Sequence, residues 1–356
     1  MIAVILCTVA LSLPGCDTGS PDILHHTGAT MGTYYAIKVV KPLQDAHAGD
    51  TETKQLGHNI ERILTQINAE MSTYRKDSAL SRFNASTGTD WFPVPEDLYT
   101  VVTEALEISR LTDGAFDITV GPLVNLWGFG PAMDKSGNEA IDPVPGEAAA
   151  LLPRTEDLRD AMARIGYGKI STRATPPALR KDDPRVYLDL SAIAKGFAVD
   201  KIAEYLEKKG FSSYLVDIGG ELRAKGKNAA GTPWRVAIEK PTPDRRAIHR
   251  IVALDGHAVA TSGDYRNFFE KAGKRYSHTI DPKTGQPVTH NLASVTVIGE
   301  SAMRSDAMAT AISVLGPETG YALAVRENMP VWLITKTEAG FSDRNTQAFT
   351  EFVVTE

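Results

Sequence analysis

The sequence predicts an α+β fold with mixed or antiparallel sheets packed by helices. Three observations predict it. Segments of strand composition follow one another through the C-terminal half, isolated amphipathic helical patterns interrupt them, and no internal repeat is visible. Strands in series with scattered helices favour α+β over a regularly alternating parallel α/β sheet. The 356 residues, 42% hydrophobic and 23% charged, can fill one large domain or two ordinary ones. The formal charge is −6 and no basic tract occurs, so nucleic acid is not expected as a partner.

The elements follow in order. Residues 1–16, MIAVILCTVALSLPGC, form an apolar run with no Lys or Arg ahead of it. It is shorter than the roughly 20 residues a spanning helix needs and reads as a signal-peptide core. A buried N-terminal strand is the alternative. The run ends in Leu13-Pro14-Gly15-Cys16, which resembles the bacterial lipobox. That resemblance implies lipidation of Cys16 and a chain anchored on the periplasmic side of the inner membrane, with Asp17 as a retention signal. The other cysteine, Cys7, would leave with the signal, so no internal disulfide is expected. Residues 17–29 read as a polar tether, and 30–356 as the folded unit.

Within that unit, 33–40 has strand composition, and 54–70 and 96–112 carry apolar residues at helical spacing. The Pro-, Gly- and charge-rich stretch 131–185 reads as an insertion or hinge. Strands are expected at 186–188, 214–218, 234–239, 250–254, 257–261, 275–280, 293–299, 331–335 and 348–354. Helices are expected at 192–209, 264–271, 305–315 and 317–327.

Several segments carry chemistry. In DLSAIAKG (189–196) a strand ends at Asp189 and Ser191 is a candidate N-cap, with Lys195 one turn on. In SDAMATAI (305–312), with Ser305 as N-cap, Asp306 and Thr310 fall at i and i+4. They form a hard-oxygen pair suited to Mg²⁺, beside small residues that permit close packing. DGAFDITVGPL (113–123) followed by NLWGFG (125–130) supplies turns and flat aromatic surface. Tyr74, leaving a helix end in MSTYRKDS, can stack on a planar ring. His278 in RYSHTIDPKTG closes a strand, where a histidine serves as a catalytic base or as a half-buried filler.

Taken in order, these segments resemble the ApbE family of bacterial flavin transferases. Met31-Gly32-Thr33, VDIGGELRAKG (216–226) and ATSGDYRN (260–267) complete the set. The resemblance covers residues from about 30 to 335 and implies a two-lobed, T-fold-like architecture. It implies a reaction in which the FMN half of FAD passes to a Thr or Ser hydroxyl of an acceptor protein, with AMP released. Such acceptors would be subunits of Nqr- or Rnf-type redox complexes. By resemblance His278 is the base; an imidazole, with an ordinary pKa of about 6.5, suits that role. Asp306, Thr310 and the Ala192 carbonyl match the Mg²⁺ ligands. Met31, Tyr74, Ala115, Phe116, Asp117, Asp189, Lys195 and Ile280 match the FAD-lining positions. Lys195 departs from the acidic residue that several relatives carry there. Two other activities fit the same residues: an FAD pyrophosphatase yielding FMN and AMP, and a flavin-storing lipoprotein without turnover.

Overall fold

The computed structural model describes residues 23–41, 50–130, 152–242, 247–263, 268–271 and 274–355. The chain opens with a hairpin of β1 (Ile23–Thr30) and β2 (Thr33–Val40). Its two-residue turn, Met31-Gly32, has φ of 50° and 70°. Helices α1 (Asp50–Met71) and α2 (Ala79–Ala85), the short β3 (Phe92–Pro93) and α3 (Glu96–Leu111) follow. Next come α4 (Gly121–Leu126), α5 (Thr155–Arg164), the hairpin β4 (Ile170–Arg173) and β5 (Ala178–Lys181), and α6 (Ala194–Lys208). Six strands succeed them: β6 (Tyr214–Ile218), β7 (Glu221–Lys225), β8 (Trp234–Glu239), β9 (Ile248–Leu254), β10 (His257–Gly263) and β11 (Phe268–Lys271). The chain ends with β12 (Lys274–Ser277), β13 (Leu292–Gly299), α7 (Ala302–Arg326), β14 (Val331–Thr337), β15 (Gly340–Asn345) and a 3₁₀ segment, Gln347–Phe352.

Eight strands form one antiparallel sheet in the order β1-β2-β6-β7-β10-β13-β14-β15. Successive side chains of a strand point to opposite faces, and both faces here are covered. From β14, Val331 and Leu333 enter the helical core with α1, α3, α6 and α7. Trp332 and Ile334 enter a second core with the β8–β9 hairpin and Phe349. Burial on both sides shows in β13, where every residue from Leu292 to Ile298 is buried. A third cluster joins Leu123 and Trp127 to α5 and to Ile280.

The structure corrects several expectations. Residues 23–29, read as tether, belong to edge strand β1. It is largely exposed, so no alternating pattern marks it. Cys16 and the expected signal segment lie outside the described residues, as do 131–151. The described part of the expected hinge, 152–185, holds α5 and the β4–β5 hairpin. Residues 186–188 join no ladder, and side chains satisfy part of their backbone. Asn84 accepts the Leu188 N–H at 2.8 Å and donates to the Leu188 carbonyl at 2.9 Å, while the buried Lys181 ammonium reaches Val186 O at 3.5 Å.

The expected helix at 264–271 is overturned where it can be seen: Phe268–Lys271 is a strand paired with β12, and 264–267 lie outside the described residues. The strand expected over 275–280 stops at Ser277. The one expected at 348–354 is 3₁₀, with Phe349 and Phe352 turned inward. Ser191 caps nothing, since α6 starts at Ala194 behind a turn, and Ser305 lies inside α7, whose cap is Ser301. The expected break between 305–315 and 317–327 falls at Gly316, with φ of 78°.

Candidate active site

The site forms where α6, α7, the end of β10, the β6–β7 hairpin and the turn after β12 meet. α6 and α7 cross so closely that a Cβ on Gly196 would lie 2.3 Å from the Ala302 carbonyl oxygen. At this crossing Asp306 Oδ2 accepts the Gly196 N–H at 3.1 Å. Thr310, one turn along α7, meets Ser262 of β10 with 3.1 Å between hydroxyl oxygens. The β6–β7 hairpin turns through Gly219-Gly220, both at positive φ (64° and 104°), with Asp217 Oδ1 accepting the Gly220 N–H at 3.0 Å. This turn carries the buried Glu221 to the end of the sheet, 2.7 Å from the Lys195 ammonium. Lys195 in turn lies 4.0 Å from Asp306.

One half-buried ammonium thus faces two buried carboxylates. Burial alone would lower the pKa of Lys195, but Asp306 and then Glu221 outweigh it and hold it raised. Burial pushes Glu221 up to about 7 against the pull of Lys195, and burial raises Asp306 as well. A single ammonium cannot neutralise both acids, so the cluster keeps a proton to higher pH than an exposed carboxylate would.

The turn after β12 supplies His278. Ile280 anchors it by packing among Leu123, Trp127, Ala161 and Ile165. Trp127 Nε1–H donates to the Gly285 carbonyl at 2.8 Å, and the Trp127 ring stacks on Tyr276 at 5.8 Å. Phe129 stands edge-on to the His278 ring at 6.3 Å. The segment 127–129 thus holds the turn by aromatic packing and one hydrogen bond.

Two neighbouring cavities result. The first, of about 480 Å³, is lined by Tyr74, Ala115, Phe116, Asp117, Asp189, Ala192, Lys195, Glu221, Ser262, His278, Ile280, Asp306 and Thr310, among others. The second, of about 490 Å³, is lined by Met31, Gly32, Asn68 and Met71, and shares Tyr74, Asp189, Ser191 and Lys195 with the first. All the residues singled out from the sequence for catalysis, FAD or metal thus line one cavity or the other. Cys16 lies outside the described residues.

Their environments differ. Tyr74 is 52% exposed, a flat ring offered to the solvent side. Asp117 is committed internally: it accepts Thr119 N–H at 2.8 Å and Tyr167 N–H at 2.9 Å, and burial raises its pKa despite those bonds. Its part is to shape the 115–119 turn. Asp189 Oδ1 likewise accepts the Ser191 N–H at 2.8 Å, closing the turn that leads to Ala192.

Sequence reasoning missed Glu221 and Ser262. The strand 214–218 was expected, but not the hairpin through Gly219-Gly220 that brings Glu221 to Lys195. Among the described residues, no three His, Cys, Asp or Glu side chains gather as a metal centre. The candidate donors are of another kind, one carboxylate with hydroxyls and a carbonyl. The buried Glu221 lines the same space, with its Oε2 held 2.7 Å from the Lys195 ammonium. An all-oxygen set with surplus negative charge fits a hard divalent cation.

The sequence and the fold have counterparts among known proteins. The ApbE family matches residues 31–333. The chain belongs to the ApbE family. A curated relative named FAD:protein FMN transferase, from Vibrio cholerae, is 45% identical over 96% of this chain and 96% of its own length. The Escherichia coli K12 protein of the same name is 41% identical over 99% and 97%. Among solved structures, the flavin transferase ApbE from Vibrio cholerae superposes with a TM-score of 0.81 at 44% identity, covering 93% of this chain and 99% of its own. The Pseudomonas stutzeri flavinyl transferase ApbE, in its apo form, gives 0.80 at 41%, covering 94% and 98%. The expected α+β ApbE-type fold is thereby established, and the chain is an enzyme of the transferase class.

Proposed function

We propose that this chain transfers the FMN moiety of FAD to a Thr or Ser hydroxyl of an acceptor protein, releasing AMP. The observation that carries the reading is the cavity shared by His278, Asp306 and Thr310, in a chain whose relatives bear the name FAD:protein FMN transferase.

In this reading the acceptor oxygen forms a bond to the flavin-side phosphorus, the bond from that phosphorus to the bridging oxygen breaks, and the oxygen leaves with AMP. The acceptor proton passes to His278. Phosphoryl transfer of this kind asks the protein mainly for position and charge balance. Tyr74 offers a stacking face for a planar ring, the turns at 115–119 and 189–192 shape the walls, and Lys195 brings positive charge toward the pyrophosphate. Asp306, Thr310 and the Ala192 carbonyl would hold Mg²⁺, which when bound neutralises pyrophosphate charge and withdraws electrons from phosphorus. The acceptors fitting this chemistry are redox subunits of the Nqr or Rnf type, and a lipid at Cys16 would hold the enzyme beside them on the periplasmic face of the inner membrane.

The test is the intact mass of a Thr-containing acceptor domain after incubation with the enzyme, FAD and Mg²⁺. A gain of one FMN phosphoester, with one AMP released per acceptor, supports transfer. Free FMN and AMP with an unmodified acceptor would make the chain a pyrophosphatase. Intact bound FAD would make it a storage protein.

A further inference from the structure

The carboxylate of Asp200, which the mechanism does not use, joins the three elements that carry the charged residues of the site. It is 7% exposed and lies one turn beyond Gly196 on α6. Its Oδ1 accepts the Ala302 N–H at 3.0 Å and the Arg223 guanidinium at 2.7 Å. Its Oδ2 accepts the Met303 N–H at 3.0 Å and the Ser301 hydroxyl at 2.8 Å. The first N–H groups of a helix have no partner within the helix, and here a neighbouring helix supplies one for two of them.

The arrangement is reciprocal. Asp200 of α6 caps the start of α7, while Asp306 of α7, four residues past Ala302, accepts the Gly196 N–H of α6. Two carboxylates exchanged across one crossing fix both the separation of the helices and their register. Without a side chain, Gly196 allows the approach. Arg223, the fourth partner, lies two residues along β7 from Glu221, the residue that meets Lys195. The position of Lys195 relative to Asp306, and of Glu221 relative to both, therefore depends on one buried side chain that does not line the cavity.

We propose that Asp200 is a positioning residue for the transfer reaction, setting the register of α6, α7 and β7 and so the geometry of the Lys195–Glu221–Asp306 cluster. It acts through other residues and touches neither substrate nor metal. The proposal rests on the function given above only for its kinetic readout.

The experiment compares full-length Asp200→Asn with Phe349→Leu, a core change in the cluster on the opposite face of the sheet. Asparagine keeps the size of the side chain but turns an N–H₂ toward groups that all donate. Both variants are expected to lower the melting temperature. At a temperature where both are fully folded, Asp200→Asn should lower kcat for FMN transfer and raise the Mg²⁺ concentration giving half of the FAD-dependent melting shift, each by about tenfold or more. Phe349→Leu should leave both near wild type. If Asp200→Asn matches Phe349→Leu in both readouts, Asp200 is merely structural and the proposal is overturned.

Should Asp200→Asn fail to fold, Arg223→Gln, which removes one of the four partners, is judged by the same two readouts. It should show a smaller change in the same direction, and no change in either would overturn the proposal. The melting shift is read without turnover, so failure of the proposed function and failure of the positioning role give different results.

Discussion

Lys195, Glu221 and Asp306 set the charge of the cavity at the scale of single residues. Glu221 has a folded-state pKa raised to about 7 from an ordinary 4.5, with burial as the largest cause. The sign follows from linkage. The folded state holds the proton more tightly than the unfolded chain, so this contribution to stability is complete below about pH 4.5 and is lost as pH rises through about 7. In protein without added metal, the wild-type melting temperature should therefore fall between about pH 5 and pH 8 more steeply than that of Glu221→Gln, which cannot titrate there. Equal slopes, measured by calorimetry across that range, would remove Glu221 from the account. Part of the cluster was legible in the sequence. Asp306 and Thr310 announce themselves by their i, i+4 spacing on a helix rich in small residues. Glu221 does not, because only the hairpin at Gly219-Gly220 brings it to Lys195, and that long-range contact leaves no periodic trace.

At the scale of elements, the stretch 186–188 shows how a segment of strand composition can lie outside every sheet. Where a strand's neighbour would pair with Leu188, the amide of Asn84 at the end of α2 does so instead. This junction ties the residue before Asp189 to the helix that follows Tyr74. Replacing Asn84 with Ala removes both bonds and leaves partly buried backbone groups unpaired, at a cost of about 1–3 kcal/mol. Denaturant unfolding measures that loss, and the Michaelis constant for FAD should rise with it, since Asp189 loses its support. An unchanged midpoint would show that water replaces the amide at no cost. The helices α1, α3 and α6 were legible because their buried faces repeat at helical spacing. Strand β1 was not, because both its faces are largely exposed. The capping expectations at Ser191 and Ser305 failed for a common reason. Each serine was judged by its neighbours in sequence, whereas the turn at Asp189 and the carboxylate of Asp200 decide where α6 and α7 begin.

At the scale of the whole molecule, the eight-stranded sheet has a core on each face, and a third cluster under the His278 turn completes the site. Order of segments in the sequence carried the family and hence the architecture, while strand order and the pairing of distant turns became visible only in the folded chain. The proposed lipid anchor at Cys16 belongs to this scale. Cys16→Ser should release the protein from membranes while leaving kcat for transfer in solution unchanged, as fractionation and a soluble assay would show. Retention on the membrane without Cys16 would rule out a lipid anchor there. The central claim, that His278 is the base serving a cavity assembled from α6, α7 and the β12 turn, is tested most directly by flavin fluorescence on a denaturing gel. The full-length enzyme and its His278→Ala variant are each incubated with FAD, Mg²⁺ and a Thr-containing acceptor. The account predicts a fluorescent acceptor band for wild type that requires Mg²⁺, and its loss in the variant while FAD binding persists. A band of undiminished intensity from His278→Ala would contradict it.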